Sequence, residues 1–74
     1  MNKKLKKQKI IMWQENLAKL EEDLKAIMEK KGAAAQEGDL SENAAYSMAI
    51  EDAETARVRI QAIKEIIKDL KKDE

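Results

Sequence analysis

Cysteine, histidine and proline are all missing from this chain of 74 residues. Without cysteine no disulfide or thiolate zinc site can form, and without histidine no Ser/His or Cys/His catalytic pair can be assembled. Any metal chemistry therefore falls to carboxylates and a hard cation such as magnesium. The lack of proline, with only two glycines, leaves long stretches free to stay helical. Long apolar runs are missing too. Ile10, Ile11, Met12 and Trp13 follow a lysine-rich start, and Gln14 and Glu15 then end the run. That is too short for a signal-peptide core or a membrane span, so the expectation is a cytoplasmic protein with no membrane contact.

What the chain has is charge. Charged residues make up 41% of it, balanced at 15 basic and 15 acidic, so no net field points to nucleic acid or to an acidic membrane. The distribution is polar along the sequence. Lys3, Lys4, Lys6, Lys7 and Lys9 open the chain with no acid among them. Residues 36–54 hold Glu37, Asp39, Glu42, Glu51, Asp52 and Glu54 with no lysine or arginine. A chain this short is one small domain at most and buries little core, so it needs well-matched helix packing or a partner.

Two apolar seams supply that packing. The first reads Ile10, Trp13, Leu17, Leu20, Leu24, Ile27, Lys31, Ala34 and the second Tyr46, Ala49, Ala53, Ala56, Ile60, Ile63, Ile67, Leu70. Both step by threes and fours, the spacing of a coiled-coil seam. They mirror each other about Leu40: Ala34 faces Tyr46, Ile27 faces Ala53, Leu20 faces Ile60 and Ile10 faces Leu70. The predicted fold is all-α, an antiparallel two-helix coiled-coil hairpin with an acidic tip turn. Alanines near the tip let the helices approach closely, while the isoleucine stem is thicker. Trp13, facing Ile67, belongs to that core rather than to a binding site.

The predicted boundaries are a basic, frayed lead-in over residues 1–9 and a single hairpin domain over 10–74. Helix 1 covers about 9–37, the tip 38–42 and helix 2 about 42–71. For the lead-in, an arm that touches phosphate is the alternative. Gly32 weakens helix 1 by about 1 kcal/mol relative to alanine without ending it. Gly38 is the better stop, since glycine takes the left-handed conformation that closes a helix. Ile11, Met12 and Ile66 are surplus to the seam and form an apolar base through which the chain can self-associate as a homo-oligomer.

The turn reads in two ways. Asp39 with Glu42 three residues later resembles a capping box, and acids there complement a helix dipole. Leu40 fits this reading poorly, because a cap does not call for a large apolar residue at the apex. Alternatively, Asp39 and Glu42 offer oxygens to a divalent cation. Two carboxylates complete only part of a magnesium shell, so a second molecule and water supply the rest.

The stretch Gly38-Asp39-Leu40-Ser41-Glu42-Asn43-Ala44-Ala45-Tyr46, set between two helices, resembles the tip of the bacterial transcript cleavage factors GreA and GreB. The likeness continues through Glu51 to Arg59-Ile60, and the hairpin matches over essentially the whole chain. It implies insertion through the secondary channel of bacterial RNA polymerase, where Asp39 and Glu42 help hold a Mg2+ ion shared with the polymerase. No ion is expected on the chain alone. The polymerase would remain the enzyme, hydrolysing backtracked RNA near its 3′ end, which this chain meets only indirectly. Gly38, Leu40, Ser41, Asn43 and Tyr46 would shape and brace the tip.

The chain departs from the family at three places. An FKBP-like domain commonly follows in the family, and none is expected after Glu74, which predicts weaker polymerase affinity. Arginines that commonly flank the tip as an RNA-binding patch are replaced here by Ala35 and Ile50. Ala45 stands where a glutamate is usual. These departures leave two rivals: a channel plug that inhibits without promoting cleavage, and a self-associating structural coiled coil. Zinc-finger regulators of the same channel fit less well, because the chain has no cysteine to build the finger.

Overall fold

The computed structural model describes residues 2–38 and 43–72. Two helices, α1 (Lys3–Ala35) and α2 (Ala44–Lys72), account for nearly all of them. They pack side by side into a rod of 55 × 14 × 12 Å. An α-helix rises about 1.5 Å per residue, so the 33 residues of α1 alone nearly span the rod. The all-α hairpin expected from the paired seams is the observed architecture.

Every position of both seams is buried or half-buried. The buried set is Ile10 and Ala34 on α1 with Ala49, Ala53, Ala56, Ile60, Ile63 and Ile67 on α2. Trp13, Leu17, Leu20, Leu24 and Ile27 are half-buried opposite them, because a helix covered on one side by a single partner leaves the flank of each long side chain in water. Ala53, at 2% exposure, is the most enclosed of the buried set. A side chain that short is covered only where the opposite helix comes close, which is what an alanine seam permits. The isoleucines toward the stem contribute about 1.5–3 kcal/mol each when fully buried.

The polar seam position, Lys31, is accommodated by its length. Its ammonium lies 5.9 Å from the centroid of the Tyr46 ring on α2, within cation–π range, while its stem follows the apolar surface. Farther along, Arg57 reaches back to α1 and donates from Nη2 to Met28 Sδ at 3.5 Å.

The ends of the elements differ from the sequence reading. Residues 3–9 are not a frayed lead-in: α1 begins at Lys3 rather than near residue 9. Asn2, in extended conformation, caps it by accepting from the Lys4 amide at 2.8 Å, and Lys6 N bonds Asn2 O at 3.0 Å. Lysine is a good helix former, so a basic run need not fray. Gly32 is passed without a break, whereas α1 stops at Ala35, earlier than about residue 37. α2 begins at Ala44 rather than about residue 42. Ile11, Met12 and Ile66 are exposed, at 54%, 47% and 36%. Among the described residues no helix is long and apolar enough to cross a membrane.

Candidate functional site

The tip is built by two helix ends that must each satisfy free backbone groups. At the end of α1, Gln36 N donates to Ala33 O at 3.2 Å and Glu37 N to Ala34 O at 3.1 Å. These tightened bonds turn the chain out of the helix. Gly38 follows with φ +119°, a conformation side chains rarely adopt, and a Cβ there would meet nothing within 4 Å. Glycine is needed at 38 for its backbone freedom and not for space.

Asn43 opens α2. Its Oδ1 accepts from Tyr46 N at 3.1 Å, and its backbone oxygen takes the first helical bond, from Ser47 N at 3.1 Å. That is the geometry of an N-cap. The other arm of the same amide crosses the hairpin: Nδ2 donates to Ala34 O at 2.7 Å. Chemistry fixes the orientation, because the flipped amide would set oxygen against oxygen at Ala34 and N–H against N–H at Tyr46. One half-buried side chain thus closes α2, adds a second donor to a carbonyl at the end of α1, and ties the two together.

The reading of Asp39 and Glu42 as a capping box falls on residues outside those described, and α2 as described starts at Ala44 under the Asn43 cap. The side chains of Asp39, Leu40, Ser41 and Glu42, and with them the apex and the acid pair, lie outside the described residues. Of the site residues expected from sequence, the structure brings Gly38, Asn43 and Tyr46 to the same end of the rod, with Lys31 against Tyr46.

Lys31 and Ala34 belong to the tip although no motif points to them. Their only signal in the sequence is membership of the α1 seam, next to the turn. Among the described residues no three histidine, cysteine, aspartate or glutamate side chains gather in one cluster. The pair expected from the sequence to offer oxygens to a hard cation, Asp39 and Glu42, lies outside that set. That pair fits magnesium in chemistry but fills only part of its shell.

Around the tip, Glu37, Glu51 and Glu54 are exposed, as is Ala35, while Ile50 is half-buried. Among the described residues the grooves between the helices are shallow and open, such as that lined by Leu24, Met28, Arg57 and Ile60. No curated protein matches the chain, and no solved structure does. A family profile does match, that of the GreA/GreB N-terminal region, described as transcription elongation factor, N-terminal, over residues 4–71. Because the match takes in both helices and the whole tip, the chain belongs to the GreA/GreB N-terminal transcription elongation factor family.

Proposed function

We propose that this domain inserts its tip through the secondary channel of bacterial RNA polymerase and stimulates the polymerase's own cleavage of backtracked RNA. The observation that carries the reading is the placement of Asp39 and Glu42 between Gly38 and Asn43, in a chain whose family match spans that segment. A rod only two helices across, with a backbone extent of 14 × 12 Å in cross-section, is slender enough to reach a recessed active centre with its end. A magnesium ion bound between the two proteins would help activate the attacking water. The task of this chain is to deliver two carboxylates to the polymerase's acidic site and hold them there. The N-cap position of α2 is filled by Asn43, so neither acid is needed in that position. The domain is then not an enzyme on its own.

The deciding experiment is cleavage of labelled RNA in a backtracked bacterial elongation complex with magnesium. Wild-type protein should shorten the RNA, and the Asp39→Ala/Glu42→Ala protein should not, at nearly unchanged helix content. Stimulation that survives the double substitution would overturn the metal role.

Two rival readings each have an observation behind them. Ala35 and Ile50 stand where the family commonly has arginines, which favours a plug that slows nucleotide addition without shortening RNA, with both acids dispensable. The exposed Ile11, Met12 and Ile66 favour a self-associating coil. That reading requires a dimer or larger species in sedimentation and no competition for polymerase.

A further inference from the structure

The Asn43 amide performs two separable tasks. Its oxygen caps α2, and its nitrogen bonds the end of α1 across nine positions of sequence. The cap serves helix stability, and serine or aspartate would serve it about as well. The crossing bond has no such substitute. Ala34 is buried in the seam at 7% exposure, so its carbonyl is carried by the rigid part of the rod. Asn43 caps the first turn of α2, whose Tyr46 ring lies 5.9 Å from the Lys31 ammonium of α1. The 2.7 Å bond therefore fixes the distance between the point where the chain leaves α1 and the point where it enters α2. The four residues 39–42 must span from Gly38 to Asn43 within that distance.

We propose that Asn43 is a positioning residue for the tip: the bond from its Nδ2 to Ala34 O sets the spacing across which Asp39 and Glu42 are presented. The functional half of this inference rests on the acid-pair reading above. Two carboxylates that share an ion with a partner must arrive with their oxygens correctly placed, and errors of about 1 Å can cost on the order of a hundredfold in rate. Losing the crossing bond while keeping the cap should leave a well-folded hairpin that binds polymerase and delivers its acids badly.

Asn43→Ser separates the two tasks, because a serine hydroxyl can still accept from Tyr46 N but is too short to reach Ala34. Asn43→Asp is the sharper variant, since a carboxylate caps at least as well and sets oxygen against the Ala34 carbonyl. Both should keep helix content and compete for polymerase like wild type. Both should lower the cleavage rate at saturating factor by at least about tenfold and raise the magnesium concentration needed for half-maximal stimulation. In the free protein, the backbone amide resonances of residues 39–42 should shift while those of the stem stay in place. Wild-type cleavage at equal occupancy overturns the proposal, as does a loss explained wholly by weaker binding or melting. Unmoved amides at 39–42 overturn it whether or not the wild type stimulates cleavage. An Asp39→Ala/Glu42→Ala protein that still stimulates sinks the acid-pair reading instead, and the amide shifts then decide alone whether Asn43 positions the segment.

Discussion

The two halves of the rod solve the same packing problem differently. Toward the tip, α2 buries Ala49, Ala53 and Ala56; toward the stem it buries Ile60, Ile63 and Ile67. Alanine buries little area, so the tip half gains little from the hydrophobic effect and relies on specific bonds: the two-armed Asn43, the Lys31–Tyr46 contact and the tightened end of α1. The stem half makes few bonds of that kind and draws its stability from apolar area. Apolar stabilisation is thus concentrated toward one end, and the other is held slim by specific bonds.

The largest test of this division is Ile63→Ala. Removing that much side chain from the stem should cost about 2–5 kcal/mol, enough to unfold a domain this small. Trp13 reports the loss, because the only tryptophan sits at the stem on the opposite helix. If Ile63→Ala costs no more than Ala49→Gly, the stem is not where stability lies. Ala53→Leu attacks the tip half from the other side. Forcing a large side chain into the most enclosed seam position should cost about 1–3 kcal/mol by pushing the helices apart. A smaller cost would mean that the alanine seam is not closely packed.

Gly38→Ala sharpens the comparison at its narrow end. With φ at +119° and open space around the missing Cβ, the penalty is conformational, about 1–2 kcal/mol. In a domain of this size that is a drop in melting temperature of several degrees. Gly32→Ala should act in the opposite direction and by the least. That glycine lies in an unbroken helix, and an added Cβ would meet nothing within 4 Å, so alanine should stabilise by about 0.4–1 kcal/mol. A thermal melt that moved downward would show that Gly32 serves a purpose beyond tolerance.

How much of the molecule is legible in its sequence follows the same division. The seams are legible to the residue, because a coiled-coil pattern is local and repeats, and each repeat corroborates the last. Lys31 is legible as a seam member, although its Tyr46 contact is not. The turn is harder. Asp39-Leu40-Ser41-Glu42 and Asn43-Ala44-Ala45-Tyr46 both begin with good capping residues, and the former also spells the reciprocal acid of a capping box. Asn43 caps α2 and also bonds Ala34, a contact across the hairpin that no local pattern encodes. At the other end, Asn2 before a run of good helix formers is a readable start signal. The absence of a seam there argues the other way, but a seam decides what a helix packs against and not whether it forms.

The early start of α1 has a consequence for how the molecule meets its surroundings. Because residues 3–9 are helical, their lysines ride on the rigid rod at the same end as Lys68, Lys71 and Lys72 of α2. Glu37, Glu51, Asp52 and Glu54 lie toward the opposite end of a body 55 Å long. The chain has zero net charge and so no monopole to draw it toward a charged surface, but it carries a large dipole moment along its axis. With a Debye length of about 8 Å at physiological salt, the two ends are electrically independent. An approaching surface feels one pole or the other, never their cancelled sum, and the torque on the rod turns it before contact is made.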